Sequence, residues 1–520
     1  MTDAIIIGAG HNGLAAAATL AVKGWKVKVF ERADMPGGAV KTREATLPGF
    51  RHDMGALNLS LFAGSGFHAK HGAELARHGL EFVPVSDCFA TAFPDGRWLG
   101  VSTDPAITAA RIAGQSTADA TRWQEMVTEF AQDAPHVFSV LGNPMTPLSL
   151  GKTAFRIWRA RDSAFLMRLA RLLFMSPRAF LEENFESERV QAMLAAWGMH
   201  LDFPPDQGGG ALFPYLEAMA NQSFGMVIGK GGADTMIRAL AGMIEAHGGE
   251  IVTGAEVTEI VARNGRAKGV RLSDGREAAA DKAVIANLAP GALRRLMGQR
   301  AESAYGSALE RYRHAPGTMM LHLALDGLPD WAAGAELKRF AYVHLAPSLF
   351  QMAQTYAEAV NGLLPREPVL VVGQPGTVDP SRAPEGKHTL WVQVRMVPGT
   401  IRGDAAGRIE ARDWEDAKGP MAERVLDMLE RYAPGLRGRI LGQAVVSPRD
   451  LEADNPNLVG GDQVCGSHHP AQNFLFRPVA GRSDWSTPLQ GLYHIGAATW
   501  PGAGTGAGSG TMLAERLAGR

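Results

Sequence analysis

Four consecutive apolar residues, Ala4-Ile5-Ile6-Ile7, run into Gly8, and a stretch of small residues from Leu14 to Val22 follows. An unbroken apolar run of this length predicts a strand covered on both faces, and the small-residue stretch predicts a helix. Trp25 to Phe30 alternates polar and apolar positions and predicts a second strand. A polar–apolar helix from Gly66 leads to Leu80–Val85, and Phe89–Phe93 and Arg97–Val101 flank Pro94-Asp95-Gly96. Two short strands around an Asp-Gly turn predict a hairpin. Thr103 to Leu141 is helical in pattern, with Ser116 as a cap. Further on, Gly229–Met236 opens a helix through Ile237, Leu240, Met243 and Ile244, which Gly248-Gly249 stops. Glu250–Val252, Ala255–Val261, Ala267–Leu272 and Ala280–Asn287 predict four strands. Met319–Leu325, Val369–Val372 and Leu390–Met396 predict a second sheet, and Met421–Tyr432 an amphipathic helix ended by Ala433-Pro434-Gly435. Gly491 to Trp500 reads as a strand into a loop, before a last helix from Thr511 to Leu517.

The first strand–turn–helix carries Gly8-Ala9-Gly10-His11-Asn12-Gly13, a G-x-G-x-x-G in the context the motif requires. Gly8 permits the tight turn, Gly10 lets backbone approach a pyrophosphate, and Gly13 lets helix and strand pack closely. Unpaired N–H groups at the helix start, with its dipole, favour an anion there. The second strand ends at Glu31, 18 residues after Gly13. A carboxylate there accepts from both hydroxyls of an adenosine ribose and repels a 2′-phosphate, which excludes NADP. This stretch predicts a dinucleotide site.

At 520 residues the chain is long enough for two intertwined domains. A formal net charge of −1 gives no sign of a nucleic-acid partner. The two cysteines, Cys88 and Cys465, are far apart and form no CxxC pair, which excludes a redox dithiol and fits a reducing compartment. No metal-ligand spacing stands out, and His468-His469-Pro470 is too short for a metal site. Met1-Thr2-Asp3 leads straight into the first strand, and no uncharged apolar run approaches the roughly 18 to 20 residues of a membrane span. The expectation is a cytoplasmic protein, or one peripheral to a membrane.

Lys152 to Arg178 interleaves Phe155, Trp158, Phe165, Leu169 and Phe174 with Arg156, Arg159, Arg161, Arg168 and Arg171. This is a basic amphipathic helix or helix pair, a composition suited to an anionic membrane surface. A substrate-domain helix with a solvated basic face has the same composition.

Ile7-Gly8-Ala9-Gly10-His11-Asn12-Gly13-Leu14, Val378-Asp379-Pro380-Ser381-Arg382-Ala383-Pro384-Glu385-Gly386, Tyr432-Ala433-Pro434-Gly435 and Pro488-Leu489-Gln490-Gly491-Leu492-Tyr493 carry a resemblance over nearly the whole chain. Together they resemble the phytoene-desaturase-like branch of the FAD-dependent amine-oxidase superfamily. The resemblance implies an α/β architecture: a Rossmann-type, glutathione-reductase-like FAD-binding domain with an interleaved α+β substrate domain. The FAD-binding parts are then expected at 1–100, 221–310 and 471–520, the helical substrate part at 101–220 and its sheet part at 311–470. FAD is the implied cofactor. Gly37-Gly38, following Glu31-Arg32, matches the extended FAD fingerprint and would approach the pyrophosphate from its other side, with Arg32 adding charge. Gly55-Ala56-Leu57 would run beneath the flavin ring, and Val257 would touch the adenine through its backbone. Gly8, Gly10, Asn12, Gly13, Asn287, Gly496, Ala497, Gly504, Thr505 and Gly506 complete the expected FAD contacts. His52 is expected to be a surface loop residue rather than a covalent flavin attachment, and His322 and His344 are expected to be structural.

Where the family reads His-Pro-Gly-Gly-Gly, this chain has Trp500-Pro501-Gly502-Ala503-Gly504, and its loop 461–469 also departs from the family pattern. The candidates for chemistry near the ring are Trp500, His468, His469 and Arg395. The implied reaction is hydride transfer from a largely apolar substrate, such as a carotenoid, another isoprenoid or a lipid-like molecule, to flavin N5. Oxygen or a quinone would then reoxidise the flavin. Oxidation of a small amine, a non-redox flavin isomerase and a flavin-binding scaffold are the alternatives the sequence leaves open, as it does the oligomeric state.

Overall fold

The computed structural model describes residues 2–519. Its first sheet has seven strands, and five of them run parallel: Leu492–Ile495, Glu277–Asn287, Thr2–Ile7, Val27–Phe30 and Glu250–Val252. Thr2–Ile7 lies inside this sheet, with Ile5 opposite both Val284 and Lys28. That placement explains its unbroken apolar run, because Ala4 to Ile7 are buried on both faces. The antiparallel strands Val257–Arg263 and Arg266–Leu272 extend the sheet from the first half of Glu277–Asn287. Helix His11–Val22 covers one face, packed between Gly508–Ala518 and Thr235–Ala246.

The second sheet also has seven strands, in the order Ile440–Val446, Gly317–Leu325, His388–Val397, Val369–Gly373, Tyr342–Leu345, Asp87–Ala92 and Trp98–Ser102. The hairpin at 87–102 forms as its turn sequence predicts, but it joins this sheet. The expected boundary at residue 100 falls inside its second strand, Trp98–Ser102. The hairpin docks where Tyr342–Leu345 pairs in parallel with Asp87–Ala92, a long-range contact that nothing in the hairpin's own residues announces. Trp414–Tyr432 covers one face of the sheet and begins about two turns earlier than the pattern predicts. Asp413 caps it, accepting from the Asp416 N–H, and Gly419-Pro420 is carried inside the helix.

The other face of the second sheet packs against helices from the middle of the chain. Thr117–Leu141, Pro147–Ala160, Ser163–Phe174 and Pro177–Asn184 are each opened by a polar side chain, Ser116, Thr146, Asp162 and Ser176, accepting a backbone N–H. The basic segment is thus a helix pair that runs into a third helix. Among them, Leu212–Phe224 faces the second sheet across the cavity described next.

Candidate functional site

A single cavity of about 1570 Å³ runs from the glycine turn of the first sheet to the helices beside the second. That exceeds the roughly 300–1,000 Å³ of an ordinary small-molecule pocket, so it has room for a cofactor and a substrate together.

Its first end is a backbone cradle. Gly8 adopts φ +92° and its N–H donates to the Phe30 carbonyl, bringing the turn against the second strand. Gly10 faces the cavity, where an added Cβ would lie 3.0 Å from Asn287 Nδ2. Gly13 is turned inward, and a Cβ there would stand 2.3 Å from the Gly8 carbonyl oxygen. It holds helix to strand and does not line the cavity. Gly37 likewise sits behind the wall, its N–H donating to the Ala9 carbonyl, and so brings Gly38 beside Gly10. Glu31 lines the cavity while its oxygens accept from the Ala9 N–H at 2.7 Å and the Ala33 N–H at 2.9 Å. Each oxygen retains a lone-pair site for a ligand hydroxyl. Arg32 also reaches the wall, but its guanidinium donates to the Ala453 carbonyl.

Across the cradle, Asn287 Nδ2 donates to the Gly8 carbonyl, and Asn457 clamps residues 287–289 by donating to one backbone carbonyl and accepting one N–H. Asn12 Oδ1 accepts from Ser509 Oγ, tying the first helix to the last. Gly55, Ala56 and Leu57 form the middle of the wall, held there by the Ala56 N–H donating to the Ala39 carbonyl. Ala497, Gly504, Thr505 and Gly506 complete it, and the last helix opens from this loop at Gly508. Gly496 is set back behind the wall, where its N–H donates to Ser509 Oγ. Val257 also lines the cavity.

The second end is an apolar chamber. Leu212, Phe213, Leu216, Ala220 and Phe224 project into it from one face of their helix. Trp391 and Tyr342 stand opposite on strands that flank Val369–Gly373, stacked at 5.8 Å with 11° between their planes. Arg395 is buried at the chamber wall and donates to the Met199 and His200 carbonyls and to Thr318 Oγ1. Burial lowers its pKa to about 10, so it stays charged at neutral pH. His468 accepts from the Ala503 N–H through Nε2. Burial and the neighbouring Arg477 push its pKa well below the usual histidine range, so it is a neutral imidazole. Trp500 reaches the wall, but its indole N–H donates to the Asn143 carbonyl.

Residues 13–499 match the flavin-containing amine oxidoreductase family. The chain belongs to that family. Pyridine nucleotide-disulfide oxidoreductase domain-containing protein 2 of Rattus norvegicus is 28% identical over 99% of this chain and 92% of its own length. A neurosporene-forming phytoene desaturase of Cereibacter sphaeroides is 25% identical over 96% of this chain and 91% of its own. In fold, the chain is similar to an oxidoreductase from Methanosarcina mazei, with a TM-score of 0.62 and 20% identity over 99% of this chain and 100% of that one.

FAD is the cofactor of this flavin-containing oxidoreductase, and the residues fit it. Gly10 and Gly38 leave free the space that Cβ atoms would fill, Glu31 faces the cavity from the end of its strand, and the last helix opens toward the middle of the groove.

The structure corrects the sequence reading at two histidines. His469 faces away from the cavity, its Nε2 bonded to the Asp202 carbonyl at 2.7 Å, so it does not stand beside His468 at the substrate. Successive residues in this extended loop point to opposite sides. His52 is buried rather than on the surface, bonded to Thr46 and edge-on to His322 at 5.4 Å, and lies outside the cavity. His344 is buried against His200, with 3.1 Å between their Nε2 atoms. Sequence reasoning also missed Glu217, His11, Tyr342 and Trp391 on the wall. Only His11 had a local signal, its place inside the glycine motif. No group of three His, Cys, Asp or Glu side chains that could hold a metal occurs among the described residues.

Proposed function

We propose that this chain is an FAD-dependent dehydrogenase acting on a largely apolar substrate held in the chamber bounded by Leu212–Phe224, Trp197, Tyr342 and Trp391. The observation that carries this reading is the continuity of the apolar chamber with the dinucleotide cradle in one cavity. Bound FAD supplies the two-electron acceptor, and the protein supplies position and field. Gly8, Gly10 and Gly38 would hold the pyrophosphate, Glu31 the ribose, and the N-terminus of Gly508–Ala518 would favour negative charge on the ring. Leu216, Trp197 and Trp391 exclude water and orient an apolar body. Arg395, fixed by three acceptors, contributes a preorganised positive charge to the wall.

The basic helix pair supports peripheral membrane contact. Phe155, Trp158, Met167 and Phe174 are exposed there, and Lys152, Arg156, Arg159 and Arg168 form no ion pair among the described residues. Phe138, Phe224 and Leu61, which line the cavity, are also exposed. No helix among the described residues is long and apolar enough to cross a membrane. Lipid-surface contact would deliver an apolar substrate without passage through water.

The test is anaerobic mixing of the flavin-loaded protein with a panel of isoprenoid hydrocarbons and alkylamines. Loss of the oxidised flavin absorbance with a panel member supports the dehydrogenase, and a flavin that no member reduces overturns it in favour of an isomerase or scaffold. Replacing Arg156, Arg159 and Arg168 with Gln weakens sedimentation with anionic liposomes, and unchanged sedimentation removes the membrane contact.

A further inference from the structure

His11 is the first residue of the helix His11–Val22 and stands between Gly10 and Asn12 on the cavity wall. Its Nε2 lies 3.0 Å from the Gly504 carbonyl oxygen, so the imidazole bridges the glycine turn to the loop that closes the groove. A carbonyl can only accept, so Nε2 carries the ring proton. The Asn12 amide stands 2.9 Å from the same nitrogen, and its two ends can exchange places between that nitrogen and Ser509 Oγ. In a neutral ring Nδ1 is then a bare lone pair. No hydrogen bond reaches Nδ1 among the described residues, and the atom is not sealed away by protein. The accessible surface of His11 belongs to the cavity.

Burial lowers the pKa of the ring to about 4, with the Gly504 carbonyl opposing it, so with no anion beside it the ring is neutral at pH 7. The rest of its helix and the loop 497–507 carry no titratable side chain. The charged groups elsewhere at this end of the cavity are engaged. Lys41 is paired with Asp454 at 2.9 Å, and Arg32 donates to the Ala453 carbonyl. Glu31 accepts two backbone N–H groups, His468 accepts from the Ala503 N–H, and Glu515 on the last helix faces Lys70 at 3.8 Å.

A pyrophosphate at the start of this helix brings two negative charges to the wall. A bare nitrogen lone pair repels a phosphate oxygen. An imidazolium instead donates from Nδ1 to the phosphate and from Nε2 to Gly504 at once. A nearby anion favours that charged form, and the resulting hydrogen bond is of the stronger, charge-assisted kind. Arg32 and Lys41, the cations flanking Gly37-Gly38, already have partners, which leaves His11 to supply the charge.

We propose that His11 takes up a proton from solvent as FAD binds and holds the pyrophosphate as an imidazolium, fastening the closing loop through Gly504 in the same act. His11 is a cofactor-binding residue in this role, remote from the transfer of hydride.

Diluting the FAD-loaded protein to equilibrium and reading the released flavin by its fluorescence gives the Kd for FAD at each pH. In wild type the Kd is expected to rise toward tenfold per pH unit from about pH 5 upward, levelling off once the imidazolium itself loses its proton. His11→Gln keeps an amide donor for Gly504 and cannot be protonated. It is expected to bind FAD about tenfold or more weakly than wild type at about pH 6, with little pH dependence, and to approach wild type above neutrality. Magnetic resonance of isotope-labelled histidines in the FAD-loaded protein at about pH 6 should show an imidazolium with both ring nitrogens protonated, and that signal should be missing from His11→Gln. A wild-type Kd that does not change with pH overturns the inference, and that measurement depends on no variant folding. A slope that survives in His11→Gln assigns the proton to another group and also overturns it. Weakening by the same factor at every pH would reduce His11 to a fastener of the loop.

Discussion

Arg382 donates to Asp53 across 2.7 Å, although 329 positions separate them in the chain. The same guanidinium donates to Asp379 at 2.8 Å and to the Gly229 carbonyl at 2.7 Å, all buried. Asp53 in turn accepts from Thr42 Oγ1 and the Ala233 N–H, and Asp379 from the Gly231 N–H. One arginine from the Val378–Gly386 motif thus fastens the short hairpin of Thr42–Arg43 and His52–Asp53, and the turn at Gly229, to the connection between strands Val369–Gly373 and His388–Val397 of the second sheet. Burial opposes the charge of Arg382, but Asp53 and Asp379 hold its pKa above the usual arginine value.

Replacing Arg382 with Met strands two buried carboxylates. The expected loss is about 3–5 kcal/mol of unfolding free energy. Denaturant unfolding of the variant against wild type measures it. A loss below about 1 kcal/mol, the worth of an exposed pair, would show that the network is solvated.

Glu31→Ala leaves the Ala9 and Ala33 N–H groups without their acceptor at the edge of the cradle. Each orphaned donor costs about 1–3 kcal/mol where water cannot replace the carboxylate. The variant should retain less FAD after gel filtration, read from the ratio of flavin to protein absorbance, and its apoprotein should melt below wild type. Glu31→Gln, which keeps one acceptor oxygen, should fall between the two.

Glu217 gives a pH dependence of the opposite sign to an ion-paired carboxylate. Its folded pKa of about 7 lies above the unfolded value of 4.5. Below the unfolded value both states are protonated and the residue has no effect. As pH rises through the window between the two, only the unfolded chain ionises, so stability falls by about 1.4 kcal/mol per unit and then levels off. Glu217→Gln should therefore match wild type in melting temperature at acid pH and exceed it above neutrality. A constant difference at all pH values would place Glu217 in contact with solvent.

The cradle was legible in the sequence because it is made of backbone. Gly8, Gly10 and Gly13 are required by a turn and two close approaches, and those requirements leave a spacing that can be read without a fold. The chamber left no such trace. Along Leu212–Phe224 the pattern of apolar residues is that of any buried helix, and nothing local separates a face against a cavity from one against core. Glu217 became informative only once its burial on that face was known. His468 and His469 show the same limit in a loop, where one residue decides which side faces the ligand. The hairpin at 87–102 was read correctly as a hairpin, but its membership was decided by Tyr342–Leu345, some 250 residues further on.

The strand Thr2–Ile7 meets one neighbour, Val27–Phe30, almost at once. Its other neighbour is Glu277–Asn287, which is itself flanked by Leu492–Ile495. Contacts of such sequence separation close slowly and late. During synthesis on the ribosome, the glycine turn is therefore made long before the strands that complete its sheet. Only when residues 492–508 leave the exit tunnel can the last wall of the groove assemble. Cofactor retention then depends on residues some 490 positions beyond the glycine turn having been made. A prematurely terminated product would carry the entire fingerprint and still be unable to retain its flavin.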